Sequence, residues 1–231
     1  MDVTELLKAA PQLQSIATTI VAGVPIAEIV KRIVLPSADA LGKRMADRVE
    51  RCFVKTAKMI EDTGVTPQPV EDKLVVEILR GASLESDESL HDMWASLLAN
   101  AGSLENANNV RPGFVVILRQ MAPDEAALLN WIYDEAERSI PAKDILEPFP
   151  QSILIPAYAS LGFGVYTPNP SPGLPSATVN AWQFGSCFNS LEARQLIRTR
   201  DDVVNIGNPG PYFSLTYLGV QFVRACRPPK L

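Results

Sequence analysis

The only histidine of the chain, His91, restricts the nucleophilic chemistry that the sequence could support. A Ser/His/Asp or Cys/His arrangement would have to be built around this residue, because an imidazole is the base in both. His91 follows Leu90 and precedes Asp92 in a stretch with helical spacing, which places it at the edge of a buried helix face. We therefore predict no catalytic residue and no enzymatic activity.

The chain has three cysteines, Cys52, Cys187 and Cys226. They are far apart, follow no zinc-ligand spacing, and their odd number does not indicate a disulfide framework. Such cysteine usage is typical of a reducing compartment. The N-terminal residues lack the basic start and the unbroken apolar stretch of a secretory signal. We expect a cytoplasmic protein.

The centre of the chain, residues 63–182, is acidic, with 15 acidic and 6 basic side chains. A group of carboxylates in this acidic centre offers the oxygen ligands that hard divalent cations take: Glu85, Asp87, Glu88 and Asp92. Their spacing matches no EF-hand or HExxH pattern. The positive end of a helix dipole accounts for Asp87 and Glu88 without a metal ion. Gly162 and Gly164 lack the third glycine and the following helix of a nucleotide-binding loop. We predict no metal and no cofactor.

A basic stripe lies along a helix predicted from Leu35 to Asp62, beside an apolar face at the same helical spacing. The stripe consists of Arg44, Arg48, Arg51, Lys55 and Lys58. The apolar face consists of Leu41, Met45, Val49, Cys52, Thr56 and Met59. The stripe could contact anionic lipid, nucleic acid or an acidic protein partner. The acidic centre of this same chain is one candidate, and a solvated face is the alternative.

The most apolar run, from Ile16 to Ile29, is interrupted by Gly23, Pro25 and Glu28. It is shorter than the roughly 18 to 20 uninterrupted apolar residues that cross a bilayer. We predict no membrane span. Peripheral contact of residues 1–62 with a membrane surface is the alternative to a buried helical hairpin.

The C-terminal end carries one further functional pattern. Asn189 and Glu192 resemble a capping box for a helix from Leu191 to Thr199, on which Arg194 and Arg198 would share a face. A strand at 211–215 and a last helix capped by Thr216 would follow. This order is typical of the end of a winged-helix domain, so we interpret the unit as winged-helix-like. Arg194 and Arg198 are then candidate nucleic-acid contacts, although such units also serve in packing and dimerisation.

Helical spacing dominates up to residue 138. Pro112 is expected to open a helix that Pro123 interrupts, and Asp124 and Glu125 to lie in the first turn of the next helix. Pro69 is expected to occupy the first turn of another helix. Frequent prolines between residues 141 and 175 leave only short elements there, with candidate strands at Ile153–Ile155 and Phe163–Tyr166.

The predicted fold class is mainly α, a helical bundle with a small C-terminal α+β unit. We divide the chain into N-terminal helices at 1–62, a helical core at 69–138, and a Pro-rich connection with the winged-helix-like unit at 139–231.

Several residues of the core follow the pattern of a known family: a helix ending in an Ala-Ser pair, a short acidic turn, a Trp-x-x-Leu-Leu-Ala helix, a Pro-x-Phe helix and a Pro-x-(Asp/Glu)-Ala helix. The matching residues are Ala82, Ser83, Trp94, Leu97, Leu98, Ala99, Pro112, Phe114, Pro123, Glu125 and Ala126. With the closing segment Leu215–Cys226, they make the chain similar to the abortive infection alpha family of bacterial proteins. Ala122 departs from the family pattern, which has a small hydroxyl cap before this proline.

The resemblance implies a role in phage defence in which the infected cell is sacrificed, and it supplies no catalytic residues. Our leading hypothesis is a non-enzymatic interaction protein with an unidentified protein partner. A homo-oligomer is also compatible with the sequence. The alternatives are a membrane-surface effector that uses residues 1–62 and a nucleic-acid-binding protein that uses the C-terminal unit.

Overall fold

The structure is a computed structural model. It describes residues 11–24, 28–29, 40–139, 145–163, 165–167, 176–178, 180–200 and 211–231 of the chain. These residues are mainly helical and divide into two units. Unit 1 comprises Met1–Gln120 and Arg224–Leu231, and unit 2 comprises Met121–Val223. Among the described residues, no helix is long and apolar enough to span a membrane.

Unit 1 is built around one long helix. Its helices are α1 (Pro11–Ile20), α2 (Ala40–Thr63), α3 (Asp72–Leu84), α4 (Glu88–Ala101) and α5 (Pro112–Arg119), with a 3-10 turn at Ala107–Asn109. Helix α2 packs against α1, α3 and α4. Its buried residues are Gly42, Val49, Cys52, Phe53, Thr56, Ala57 and Ile60. The long helix predicted from sequence is therefore confirmed within the described residues.

The buried face of α2 is wider than the predicted one and turned around the helix axis. Val49, Cys52 and Thr56 are buried as expected, whereas Leu41 is 52% exposed. Packing on three neighbouring helices extends the buried surface to Phe53, which the four-and-three spacing did not include.

The helix boundaries follow from local hydrogen bonding. The Asp87 carboxylate accepts a hydrogen bond from the Leu90 N–H at 3.0 Å and caps α4, and Pro112 occupies the first turn of α5. The expectation for Pro69 is wrong, because α3 begins at Asp72. The Val70 N–H instead donates to the Ile20 carbonyl at 3.0 Å, which keeps this part of the chain outside the helix.

A glycine of α3 lies directly against a side chain of α4. A Cβ atom at Gly81 would lie 2.3 Å from the ring of Trp94, which is buried. Only glycine leaves room for the indole, so the tryptophan ring fixes how closely these two helices pack.

The last residues of the described chain complete unit 1. The buried Asn100 amide donates to the carbonyls of Ala225 and Arg227 at 3.0 and 2.7 Å, and the Asn106 amide donates to the Lys230 carbonyl at 2.9 Å. Unit 2 is thus inserted between two segments of unit 1.

Unit 2 combines helices with short strands. The helices are α6 (Pro123–Ser139), α7 (Leu154–Tyr158), α8 (Ala181–Ala193) and α9 (Tyr217–Ala225), the last of which runs into the closing segment of unit 1. The strands are β1 (Phe149–Pro150), β2 (Val165–Thr167), β3 (Ser176–Thr178), β4 (Ile197–Arg200) and β5 (Tyr212–Leu215). They form an antiparallel sheet in the order β1-β5-β4 and a separate β2-β3 pair. The mainly α class with a small α+β unit is confirmed.

Thr216 begins α9 as predicted, because its hydroxyl accepts a hydrogen bond from the Gly219 N–H at 2.9 Å. A Cβ atom at Gly219 would lie 2.0 Å from the Leu196 carbonyl oxygen. The glycine therefore allows α9 to pack directly on the chain that enters β4.

Two predictions for the Pro-rich segment differ from the structure. Ile153–Ile155 is not a strand, because a 3-10 turn at Gln151–Ile153 leads directly into α7. Pro156 is the third residue of α7, where its missing N–H would have no helical partner. The strand predicted at Phe163–Tyr166 corresponds to β2 in part, while residues 168–175 lie outside the described residues.

The helix predicted at Leu191–Thr199 is wrong. Helix α8 begins at Ala181, after the cap residue Asn180, whose side chain accepts a hydrogen bond from the Trp182 N–H, and it continues through Asn189 to Ala193. Gln195 has a positive φ of 59° and ends the helix, after which the chain enters β4. Glu192 accepts a hydrogen bond from the Thr199 N–H and caps no helix.

The two units are divided at Gln120, whereas the sequence-based segments end at residues 62 and 138. Helix α2 belongs with α3 and α4 because its apolar face packs on both.

Candidate functional site

The basic stripe of α2 was the main binding surface predicted in this part of the chain, and its second cation, Arg48, binds inside unit 1. Arg48 Nη1 donates to the carbonyl oxygens of Ser83 and Leu84, each at 3.3 Å. These carbonyls end α3, where backbone acceptors have no helical partner and the helix dipole is negative. Arg48 therefore caps α3.

The next two cations of the stripe bind the first turns of α4. Arg51 Nη1 lies 3.2 Å from Glu88 Oε2, and the Lys55 ammonium contacts the carboxylates of both Glu88 and Asp92. Arg51 also pairs with Asp47 one turn earlier on α2, at 3.3 Å. We call Arg51, Lys55, Glu88 and Asp92 the α2–α4 ion cluster. The acidic centre of this chain, one of the candidate partners of the stripe, therefore supplies the carboxylates that bind Arg51 and Lys55.

The pKa values of the cluster reflect this pairing. The hydrogen bond from Lys55 holds the pKa of Glu88 below its ordinary value, against a smaller opposing effect of burial. Burial works to lower the pKa of Lys55, but hydrogen bonds with Asp92 and Glu88 outweigh it and raise that pKa. Both groups are therefore charged at neutral pH, as an ion pair requires.

His91 lies beneath this cluster and is 1% exposed, deeper than the edge position that the sequence predicted. Its Nε2 lies 3.0 Å from the Arg48 carbonyl oxygen, so the proton is on Nε2. Burial lowers the pKa of His91, and the cations of Lys55 and Arg51 lower it further. The imidazole is neutral, and Nδ1 has no hydrogen-bond partner among the described residues.

Glu88, His91 and Asp92 bring potential metal-ligand atoms within 4.8 Å of one another. Two carboxylates and an imidazole are a donor set that a divalent transition metal accepts. In this structure, however, the Lys55 ammonium contacts both carboxylates and takes the place of a cation there. The arrangement fits an ion-pair cluster better than a metal site.

The two ends of the stripe differ from its middle. Arg44 and Lys58 are exposed, whereas Arg48, Arg51 and Lys55 are half-buried. The apolar faces of α1 and α2 are turned into unit 1, where Leu13, Ala17 and Ile20 of α1 are buried. Contact of α1 and α2 with a membrane or a protein partner stays a prediction. Such contact would use surfaces of these helices other than their apolar faces.

The two arginines predicted to contact nucleic acid do not share a helix face. Arg194 follows the end of α8, and Arg198 lies on β4. Arg194 Nη1 binds Glu125 Oε2 at 2.9 Å and the Ser190 hydroxyl at 2.6 Å. The premise of the nucleic-acid prediction is therefore wrong, although Arg198 itself is exposed.

The Arg194–Glu125 pair belongs to a polar cluster at the start of α6. Glu125 is 6% exposed and also accepts from the Ala122 N–H at 2.8 Å. This bond is one half of a capping box, so the backbone position that lacks the family's hydroxyl cap is still paired. The neighbouring Asp124 carboxylate accepts a hydrogen bond from the Tyr158 hydroxyl at 2.5 Å.

The cysteines are poor nucleophiles in this fold. Burial raises the pKa of Cys52 to about 12. Burial, with the nearby carboxylates of Asp124 and Glu125, raises the pKa of Cys187 to about 12. Burial also raises the pKa of Cys226. The thiolate, which is the reactive form, is therefore rare in all three at neutral pH.

The sequence did not predict which charged side chains would form ion pairs. The ion cluster joins residues 37 positions apart, such as Lys55 and Asp92, and helical spacing describes only neighbours on one helix. The one available signal was the opposite charge of the stripe and of the acidic centre.

These observations define a mainly helical protein whose charged side chains join helices to one another. Within that class, a family model described as Abortive infection alpha matches residues 38–168, which is more than half of the chain. The chain belongs to this family. No curated protein and no solved structure matches it.

Proposed function

We propose that this protein acts in abortive infection, as a non-enzymatic interaction protein that responds to phage. The observation that carries the proposal is membership of the Abortive infection alpha family over residues 38–168. The part of the chain that matches the family includes α2 to α7, and so contains the ion cluster and the polar start of α6.

The state of the reactive groups supports a binding role over an enzymatic one. His91 is buried with a lowered pKa, burial raises the pKa of all three thiols, and the carboxylates of Glu88 and Asp92 are held in ion pairs with Arg51 and Lys55. General acid–base or nucleophilic catalysis needs such groups to be poised near a substrate, with pKa values matched to the reaction.

The experiment is infection of bacteria that express the full chain. Cells with and without the protein are challenged with a panel of phages at low and high multiplicity, and phage titre and cell survival are measured. Abortive infection predicts fewer phage progeny together with death of the infected cells. Unchanged titres across the panel would contradict the defence role.

The non-enzymatic part is tested separately with His91→Gln, Cys187→Ser and Tyr158→Phe. Each variant removes one group capable of proton transfer or nucleophilic attack while nearly preserving its size. We expect each to protect cells as the unchanged protein does, provided that its unfolding curve shows it to be folded. Loss of protection in a stably folded variant would indicate catalysis.

A further inference from the structure

Three potential metal ligands lie on one side of α4. Glu88, His91 and Asp92 stand at positions i, i+3 and i+4 of the helix, and one ligand atom of each lies within 4.8 Å of the others. A glutamate followed three residues later by a histidine is a spacing with which helical bundles bind metals through carboxylate and imidazole. Spacing alone does not make a metal site, because acidic residues are favoured in the first turn of any helix.

The imidazole supplies a second, independent observation. His91 is 1% exposed, and its Nε2–H donates to the Arg48 carbonyl oxygen at 3.0 Å. The lone pair of Nδ1 is therefore buried without a hydrogen-bond partner among the described residues, which costs stability in a folded protein. A histidine that binds a metal through one nitrogen commonly donates the other N–H to a backbone carbonyl or a carboxylate. His91 already has this hydrogen bond, and Nδ1 is the nitrogen that remains for a metal.

Lys55 is the group that a metal has to displace. Its ammonium binds Glu88 Oε1 and Asp92 Oδ1. Arg51 binds the other oxygen of Glu88 and has Asp47 as a second partner, so it is not affected by the exchange.

The exchange of Lys55 for a metal costs little. The side chains of Glu88 and Asp92 are 61% and 53% exposed, and exposed ion pairs contribute little to stability. A metal that takes the two oxygens from the ammonium also gains a bond to Nδ1 of His91, which the ammonium does not contact in the structure. The ion cluster therefore competes with the metal without excluding it.

The donor set selects the class of metal. Two carboxylate oxygens and one imidazole nitrogen suit Zn²⁺ and the neighbouring divalent transition metals, whereas Mg²⁺ and Ca²⁺ prefer oxygen ligands alone. Bonds of about 2.1 Å in a tetrahedral zinc site separate the ligand atoms by roughly 3.4 Å. The two carboxylates are exposed and can rotate, so they can close the difference from 4.8 Å, and water takes the fourth position.

We propose that Glu88, His91 and Asp92 bind a divalent transition metal of the zinc class, which displaces the Lys55 ammonium from the two carboxylates. The metal then breaks the electrostatic link between Lys55 on α2 and the start of α4, while the hydrogen bond from His91 to α2 stays. The inference rests on these contacts and does not depend on a role in phage defence.

The first test is titration of the metal-free full chain, without a purification tag, with Zn²⁺ in competition with a chromophoric chelator. We expect one Zn²⁺ per chain, no competition from an equal concentration of Mg²⁺, and a dissociation constant that His91→Gln raises by more than about tenfold. Glu61→Gln removes an exposed carboxylate of α2 outside the site and leaves the constant unchanged. Absence of zinc binding, or equal binding by the unchanged protein and His91→Gln, overturns the proposal.

Lys55→Met tests the displacement of the ammonium. Removal of the competing cation should lower the zinc dissociation constant by about threefold or more, because an ion pair no longer has to be broken. Lys58→Met removes an exposed cation of the same stripe and should change the constant little. Weaker zinc binding by Lys55→Met, or the same result for both lysine variants, contradicts the displacement.

The single histidine makes the ligand atom observable in the protein without any substitution. Isotope-labelled histidine gives one pair of imidazole nitrogen resonances in the NMR spectrum. Addition of Zn²⁺ should shift the Nδ1 resonance strongly and leave Nε2 protonated, because Nε2–H stays bound to the Arg48 carbonyl. An Nδ1 resonance that does not move while zinc is bound overturns the assignment of His91 as a ligand.

Discussion

The cations of α2 act at the points where neighbouring helices end or begin. Arg48 reaches the terminal carbonyls of α3, and Lys55 reaches carboxylates in the first turns of α4. Arg48 places its positive charge at the negative end of the α3 dipole. Lys55 binds carboxylates that themselves favour the positive end of the α4 dipole. Three cations of the stripe, Arg48, Arg51 and Lys55, therefore join α2 to its neighbouring helices.

Replacing Arg48 tests this role. Arg48→Met removes both hydrogen bonds to the end of α3 and is expected to lower the free energy of unfolding by about 1 kcal/mol. Arg44→Met, which removes an exposed cation of the same stripe, is expected to change it little. Urea unfolding of the two variants measures the difference. Equal effects would show that Arg48 does not stabilise α3 in this way.

The Arg194–Glu125 pair is expected to be strongly coupled, because Glu125 is 6% exposed. Arg194→Met leaves that carboxylate buried without its cation and should cost about 3 kcal/mol. The double variant Arg194→Met with Glu125→Gln removes the unpaired charge and should cost less than the sum of the two single changes. A double-mutant cycle from unfolding curves gives the coupling, and additive effects would contradict the pairing.

At the scale of elements, two glycines with opposite surroundings test the packing of unit 1. Gly81→Ala drives a methyl group into the Trp94 ring and should destabilise the protein by about 2 kcal/mol. Gly113→Ala in α5 has open space around the new methyl group and should stabilise slightly, by about 0.5 kcal/mol. Thermal unfolding measures both, and a tolerated Gly81→Ala would show that α3 and α4 can shift apart.

The elements that the sequence predicted well are those defined by local chemistry. Asp87, Pro112 and Thr216 begin helices because each acts on backbone groups within three residues of itself. The long helix was predictable because its apolar residues repeat over many turns.

The wrong predictions concern segments in which tertiary contacts decide which of two local conformations the chain adopts. Asn189 and Glu192 fit a capping box, yet α8 passes through them because the helix is already capped by Asn180 and begins at Ala181. Ile153–Ile155 is apolar and partly β-branched, but it enters a helix whose third residue is Pro156. The partners of the basic stripe could not be predicted either, because they lie on another helix.

At the scale of the whole molecule, the single histidine links stability to pH. The unfolded chain protonates His91 near the ordinary pKa of 6.5, while burial lowers the pKa in the folded protein. As pH falls below 6.5, the unfolded state therefore binds a proton that the folded state does not, and the free energy of unfolding decreases. Urea unfolding between pH 7.5 and 5.5 should show this loss. His91→Gln should flatten the slope, and an unchanged slope would contradict the assignment.

The insertion of unit 2 between two segments of unit 1 has a consequence for how the protein is made. A ribosome releases residues 121–223 before it adds Arg224–Leu231, whose carbonyls pair with Asn100 and Asn106. At the usual speed of protein synthesis, this delay lasts roughly 5 to 20 seconds. Throughout that time unit 1 lacks the segment Arg224–Leu231 that completes it. In a nascent chain interrupted within unit 2, the amides of Asn100 and Asn106 lack these carbonyl partners.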